Sequence, residues 1–144
     1  MKTLLNSEDY QQILKRLNSL DGTENRLWGK LSESQMLEHC RRQIEMAIGR
    51  IPTKAMFPAP IQWLAKVTFG YYIPWPRNLI TANEMVVENE SEFKEELNRL
   101  KETLHVFMTT SQCHPHPIFG RMSKQDWGKI IYKHLDHHLQ QFGR

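Results

Sequence analysis

Apolar residues recur at helical spacing in four long stretches of the chain. The first stretch predicts a helix over residues 7–20, with Ser7 as its N-cap. The second predicts a helix over 32–51, where Ser32 and Gln35 have the spacing of a capping box. Each segment places its apolar residues along one stripe, so each is expected to bury one face.

The other two stretches lie in the second half of the chain. A helix is predicted over 91–108, where apolar residues at spacings of four and three form a seam typical of helix bundles: Phe93, Leu97, Leu100, Leu104 and Phe107. The last helix is predicted over 123–142, with Ser123 as N-cap and Asp126 in its first turn. No stretch alternates with period two, so we expect an all-α fold. Four long helices in one domain, residues 1–144, predict a four-helix bundle.

The connection between the second and third long helices is unusually long. Five prolines divide it, and only a short helix over 61–69 is predicted within it. Residues 46–83 contain no Asp or Glu, and their aromatic side chains include Trp63, Phe69, Tyr71, Tyr72 and Trp75. A crossover of this length inside a compact domain is more often functional, or a packed excursion of the chain, than a random coil. It is expected to be either a lid with buried aromatic residues or a docking face.

Composition places the chain among ordinary globular proteins. It has 144 residues, of which 40% are hydrophobic and 24% charged, and two cysteines without a repeating spacing. The formal charge of +3 is too small to indicate nucleic-acid binding. No run approaches the roughly 20 apolar residues of a membrane span, and the first residues do not resemble a signal peptide. The expected location is therefore the cytoplasm.

The candidate chemistry lies in the last helix, where His134 and His138 are four residues apart. This spacing places both imidazoles on one face, together with Trp127, Ile131 and other residues expected to point into the core. Two inward imidazoles at this spacing are half of a transition-metal site. Two histidines whose hydrogen bonds are satisfied in a bundle core explain the spacing equally well. His137 is expected on the flank of the helix.

A third ligand is needed to complete such a site, and His39 is the best candidate. It lies at the edge of the apolar stripe of the second helix, where a histidine with a purely structural role is an open alternative. Three imidazoles would form an open site of the catalytic kind. The adjacent Glu38 is a candidate for supporting a histidine or acting as a base, although a solvated carboxylate is the simpler interpretation.

The loop before the last helix contains Cys113-His114-Pro115-His116. Its residues are too close together to surround a metal by themselves, so His116 is expected near the mouth of the bundle. There it would hydrogen-bond a substrate or a metal-bound water, or act only on loop conformation. Three other candidates have simpler roles: Cys40 as a small core residue, His105 as an exposed histidine, and Asp136 on the side opposite the apolar face.

Several segments together resemble the DinB-like (YfiT-like) superfamily of metal-dependent four-helix bundles, and more narrowly an uncharacterised branch of it, a domain of unknown function. The matching segments are WGKLS at 28–32, QMLEH at 35–39, HPIFGR at 116–121, and WG at 127–128 leading to YKHLDHHLQQFG at 132–143. They occur in the right order over most of the chain, which makes the resemblance more specific than the spacing of two histidines.

The resemblance implies a divalent metal, nickel or zinc, held by one histidine of the second helix and two of the last, which correspond to His39, His134 and His138. It also implies that a low-molecular-weight thiol is a candidate cosubstrate and that the chain is a candidate homodimer. The substrate class does not carry over, because the aromatic crossover is less typical of the superfamily.

Three hypotheses follow. The first is a metal-dependent enzyme acting on an unidentified small molecule, of the thiol transferase or hydrolase type, with the three histidines as ligands and with His116, His137 and Glu38 as further candidates near the pocket. The second is a non-catalytic binding module in which the metal is structural. The third is a protein that docks on a membrane surface or a partner through residues 46–83. Neither nucleic acid nor membrane is the expected partner.

Overall fold

The computed structural model describes residues 1–77 and 81–144, and five α-helices account for most of the regular structure. They are α1 (Ser7–Asn18), α2 (Glu33–Ala47), α3 (Ala59–Ala65), α4 (Phe93–Thr109) and α5 (Lys124–Gln141). A π-helical segment, Lys66–Tyr72, continues α3, and a 3-10 turn, Asn83–Met85, precedes α4. Within the described residues there is no strand, only one antiparallel bridge between His116 and Gly120. The all-α prediction is confirmed.

The helix ends follow the predicted capping chemistry in two of the long helices. Capping boxes join Ser32 to Gln35 at the start of α2 and Ser123 to Asp126 at the start of α5. The expected cap of α1 is wrong: Asn6, not Ser7, accepts the hydrogen bond from the backbone of the first turn. The α2 helix also ends earlier than residue 51, since Gly49 follows it with φ of +79°, a conformation that breaks the helix.

Helix α2 lies at the centre of the packing and contacts both α4 and α5, while α1 packs on α5. The predicted seam of α4 is buried at Leu97, Leu100, Leu104 and Phe107, and Phe93 is partly buried. Arg41 of α2 forms an ion pair with the buried Glu96 of α4, so a charged contact as well as apolar packing fixes these two helices together. Helix α2 also packs directly against α5.

Backbone carbonyl groups of the crossover between α2 and α4 contribute to its docking on α5. Lys133 of α5 donates hydrogen bonds to the carbonyl oxygens of Phe69 and Ile73, each at 2.7 Å. The indole N–H of Trp75 also donates to the Phe69 carbonyl, and the Trp75 ring packs against the core. The crossover therefore packs against the middle of α5. Residues 78–80 of the acid-free stretch lie outside the described residues.

Most aromatic and aliphatic side chains of the crossover point away from the protein, contrary to a fully buried lid. Trp63 is 62% exposed and Tyr72 is 80% exposed. We refer to the outward apolar side chains of this segment as the exposed crossover face: Ile61, Trp63, Leu64, Tyr72 and Ile73. The described part of the chain contains no helix that is both long enough and apolar enough to cross a bilayer.

Candidate metal centre

Three histidines from two helices meet where α2 packs on α5. One ring nitrogen from each of His39, His134 and His138 can be chosen so that all three lie within 4.8 Å of one another. The closest pair is Nε2 of His39 and Nε2 of His134, 3.0 Å apart. His39 and His134 are buried and His138 is partly buried. This group could hold a metal ion, because imidazole is a common ligand of divalent transition metals.

Local helix geometry accounts for two of the three positions, and a turn distant in sequence accounts for the third. His134 and His138 are one turn apart on α5, which places their ring centroids 4.6 Å apart. His39 lies at the edge of the α2 stripe, yet it is buried because the 3-10 turn Asn83–Met85 covers it. Arg42 of α2 donates a hydrogen bond to the Glu84 carbonyl and so ties this turn to the helix. His39 is therefore buried although it lies on the flank of the apolar stripe of α2.

A backbone acceptor fixes the protonation state of His39. Nδ1 of His39 lies 2.9 Å from the Met85 carbonyl oxygen, which can only accept a hydrogen bond. Nδ1 therefore carries the proton, and Nε2 of the neutral ring presents its lone pair toward His134. Metal-ligating histidines commonly donate their other ring N–H to such an acceptor, which fixes both the tautomer and the orientation of the ring.

A side-chain amide does the same for His138. The amide Nε2 of Gln141 donates to the Trp28 carbonyl oxygen at 2.7 Å, so the amide oxygen of Gln141 faces His138. That oxygen lies 2.9 Å from Nδ1 of His138, which must then be the donor. Nε2 of His138 is left as the unprotonated nitrogen. Two of the three rings are therefore oriented by groups outside the cluster.

His134 is the exception, because its Nδ1 is buried and has no hydrogen-bond partner among the described residues. If Nδ1 carries the proton, an N–H donor is left unsatisfied and two lone pairs face each other between His39 and His134. If Nε2 carries it, the buried acceptor Nδ1 is unsatisfied. Either state is costly for a buried polar group. In the first state, a cation between the two Nε2 atoms would remove the repulsion.

Burial keeps the three rings neutral at physiological pH. Desolvation lowers the pKa of His39 and lowers that of His134 well below the ordinary value, with neighbouring imidazoles adding to the effect at His134. Burial, followed by the proximity of His39, lowers the pKa of His138 to about 3. A metal needs the unprotonated imidazole. The cluster therefore presents its rings in the state that a metal requires.

A cavity of about 440 Å³ opens beside the cluster. Its wall includes all three histidines and other residues of α2 and α5, and the loops before these two helices, the crossover and the 3-10 turn also contribute to it. Two further histidines named from the sequence also line it, His116 and His137. The volume falls within the range of small-molecule sites. The three imidazoles consequently border a space that a small molecule can enter.

His116 is held by the bridge between its own backbone and Gly120. Its Nδ1 accepts hydrogen bonds from the backbone N–H groups of Ile118 at 3.0 Å and Phe119 at 3.3 Å. Burial lowers the pKa of His116 to about 3, so the ring is neutral and its proton lies on Nε2. The loop histidine can therefore act as a neutral hydrogen-bond donor.

Other candidates from the sequence are placed elsewhere. Glu38 accepts hydrogen bonds from Arg42 at 3.0 Å and Ser91 at 3.2 Å, and it is not among the residues that line the cavity. Asp136 pairs with Arg16 on the outer side of α5. Cys40 is buried in the core, and His105 is exposed, as expected.

Sequence reasoning missed two glutamines. Gln141 orients His138, and it lies three residues later on the same helix face. Gln43 lines the cavity one turn after His39, is 1% exposed, and has no hydrogen-bond partner for its amide oxygen within the described part of the chain. Their i,i+3 and i,i+4 spacing from the histidines was a usable signal, but a polar residue at these positions is usually solvated.

A family model described as "Protein of unknown function (DUF1569)" matches residues 1–144. The match covers both helices of the histidine cluster and the crossover between α2 and α4. No curated protein and no solved structure matches the chain. The interpretation of the site therefore depends on its own geometry and chemistry.

Proposed function

The chain belongs to the DUF1569 family of proteins of unknown function, and we propose that it binds one divalent transition metal through His39, His134 and His138. The observation that carries this proposal is the convergence of three imidazoles whose ring nitrogens lie within 4.8 Å of one another. Hydrogen bonds to groups outside the cluster support it, because they leave Nε2 unprotonated in His39 and His138.

The separation of the nitrogens suits a metal of the first transition series. Zinc–nitrogen bonds of about 2.0–2.1 Å at a tetrahedral angle place two ligand nitrogens about 3.3–3.4 Å apart. The Nε2 atoms of His39 and His134 are 3.0 Å apart, so this pair needs a shift of a few tenths of an ångström, and all three nitrogens lie within 4.8 Å of one another. Coordination through Nε2 would put the proton of His134 on Nδ1, which has no acceptor among the described residues, unlike Nδ1 of His39 and His138. Nickel and zinc are the proposed metals.

The arrangement of the long helices supports a narrower architecture. We propose that α1, α2, α4 and α5 form a four-helix bundle of the DinB-like (YfiT-like) type in a single domain. In that type, one histidine of the second long helix and two of the last are the ligands. The packing of α2 against both α4 and α5 favours this arrangement.

The adjoining cavity favours an enzyme over a protein with a purely structural metal. Three protein ligands leave a fourth coordination position, which is characteristic of catalytic sites, whereas structural zinc sites are closed by four protein ligands. A metal bound here would act as a Lewis acid, polarising a substrate carbonyl or lowering the pKa of a coordinated water or thiol. The proposed reaction is therefore a transfer or hydrolysis on a small molecule.

The side chains around the cluster have defined parts in such a reaction. His39 and His138 are held in place by the Met85 carbonyl and by Gln141. His116 presents a neutral N–H donor to the cavity wall, which can hydrogen-bond an oxygen of the substrate. Trp75 packs 5.6 Å from the His134 ring and limits the access of water to it.

Metal titration of the full-length, untagged chain tests the proposal. One equivalent of zinc or nickel is expected per chain, and replacement of any one ligand, as in His134→Ala, should weaken binding by about 100-fold or more. His105→Ala is the matched control, since His105 is exposed on α4. The absence of stoichiometric binding to the unmodified chain, or an equal loss in the His105 variant, would contradict the proposal. A bound metal that stabilises a protein without any turnover would favour the structural alternative.

A further inference from the structure

The cavity beside the histidines is lined by cationic side chains and by no carboxylate in the described part of the chain. Lys30 and Arg77 contribute positive charge to its wall. Its cover comes from the acid-free stretch 46–83, which supplies Trp75, Arg77 and Thr81. The absence of Asp and Glu from this stretch keeps negative charge out of the cover. The potential inside the cavity therefore favours an anion.

Of these two exposed cations, Arg77 is held in place by an aromatic ring, and neither has a partner of opposite charge among the described residues. The guanidinium of Arg77 stacks over the Trp28 ring, 4.7 Å from its centroid. Among the described residues neither Lys30 nor Arg77 forms an ion pair, whereas Arg41 forms ion pairs with Glu45 and Glu96. Stacking fixes the Arg77 side chain in place but leaves its charge unneutralised. A ligand can therefore supply the missing anionic group.

The remaining wall is mostly apolar. Leu31, Val86, Ile118 and Phe119 contribute side chains to it, together with the Trp75 ring. A cavity of about 440 Å³ with such a wall suits the body of a small aryl or alkyl compound. A fully polar anion would make no favourable contact with these apolar side chains. The ligand is thus expected to combine one anionic group with an apolar body.

Gln43 adds an independent sign that something binds in the cavity. Its side chain is buried, and its amide oxygen has no hydrogen-bond donor among the described residues. Buried acceptors are rarely left unpaired in a folded protein. Gln43 belongs to the cavity wall, but its oxygen has almost no accessible surface, so a rotation of the amide is needed to bring it to a donor on a ligand.

We infer that the cavity binds a small organic anion with an apolar body, its anionic group at Arg77 and Lys30 and an N–H or O–H donor at Gln43. This inference deepens the proposed function, on which it rests for the position of the ligand beside the metal ligands. Carboxylate and phosphate head groups share this chemistry, and the test below separates them.

Calorimetric titration with matched probes tests the anionic part. The probes are phenylpropionate, phenylpropanol and phenylpropylamine, which share an apolar body, and phenyl phosphate as a second anion. At least one anion is expected to bind about tenfold or more tightly than the alcohol and the amine, in both metal-free and zinc-loaded full-length protein. Arg77→Gln should weaken the anion about tenfold and leave the alcohol unchanged, while the control Arg50→Gln, in the same acid-free stretch but outside the cavity wall, should change neither.

Equal affinity for the anions, the alcohol and the amine would overturn the inference, as would an equal effect of Arg77→Gln and Arg50→Gln. The two proposals fail separately. If zinc does not bind but the metal-free protein keeps the order of affinities, the metal proposal fails alone. If zinc binds and the probes show no order, the anion inference fails alone.

The donor part is tested with the ortho, meta and para hydroxyl derivatives of phenylpropionate. At least one isomer is expected to bind about threefold or more tightly than phenylpropionate, which corresponds to one neutral hydrogen bond. Gln43→Met keeps the length of the side chain and should abolish this gain. If no isomer gains affinity, or if the gain persists in the Gln43 variant, the assignment of Gln43 is wrong.

Discussion

The histidine centre and the exposed crossover face depart in opposite ways from the usual pattern, in which apolar side chains are buried and polar side chains are exposed. At the centre, polar rings are buried: His134 is 3% exposed and its Nδ1 is unpartnered among the described residues. On the crossover, large apolar side chains such as Trp63 and Tyr72 are exposed. Buried polar groups are costly unless they are satisfied, whereas more than half of the accessible surface of a typical folded protein is apolar. The first departure therefore indicates function more strongly than the second.

The largest expected effect is the stabilisation of the folded chain by zinc bound at the histidine centre. With free zinc at about 100 times its dissociation constant, the free energy of unfolding should rise by about 2.7 kcal/mol. His134→Ala should abolish this increase, because one of three ligands is removed. Denaturant unfolding with zinc and with a chelator measures it. An equal effect of zinc on the unmodified and variant chains would show that the ion binds elsewhere.

The second prediction concerns Gln141, whose amide oxygen accepts a hydrogen bond from His138. Gln141→Leu removes the acceptor for Nδ1 of His138 while keeping a side chain of similar size. Zinc affinity should fall about 10–100-fold, the usual cost of losing a supporting partner of a metal ligand. Gln140→Leu is the matched control, since Gln140 bonds Asp136 on the outer side of α5. Unchanged zinc affinity in the Gln141 variant would mean that the hydrogen bond does not orient the ring.

A gain in stability is expected from a third variant. Gln43→Leu replaces a buried amide, whose oxygen has no partner among the described residues, by an apolar side chain of similar volume. The metal-free protein should become more stable by about 1 kcal/mol, because an unsatisfied acceptor is removed. Thermal and urea unfolding measure this change. A loss of stability instead would show that Gln43 contributes to packing and not to ligand binding.

The smallest effect is expected on the exposed crossover face. Trp63→Gln should change the free energy of unfolding by no more than about 0.5 kcal/mol, since the ring is 62% exposed. Zinc affinity should not change. Trp75→Leu is the informative counterpart, because Trp75 packs against Phe119 and His134. Similar losses in both variants would remove the distinction between the two regions.

Much of the fold could be predicted from the sequence because local rules decide it. The capping boxes at Ser32 and Ser123 and the apolar seam of α4 depend on residues close in the chain. The end of α2 was less predictable, since the apolar stripe continues past Gly49 while the backbone turns away from the helix there. The exposure of Trp63 also could not be predicted, because composition does not tell which element covers a side chain.

The candidate site was predictable to a different degree at each residue. The placement of His134 and His138 on one face followed from helix geometry alone. The approach of His39 depends on the turn at Met85, which covers the edge of α2 and is distant in sequence. Membership of the DinB-like superfamily, the identity of the metal and the reaction stay predictions. The arrangement of side chains permits metal binding, whereas the metal and the reaction depend on the species that bind there.

X-ray absorption spectroscopy of the zinc-loaded, untagged chain tests the central claim most directly. Three imidazole nitrogens at about 2.0–2.1 Å from the zinc are expected, with one further light ligand. His39→Ala should reduce the imidazole contribution to two, while His105→Ala should leave the spectrum unchanged. A sulfur ligand near 2.3 Å, or fewer than three imidazoles in the unmodified protein, would contradict a metal centre formed by His39, His134 and His138.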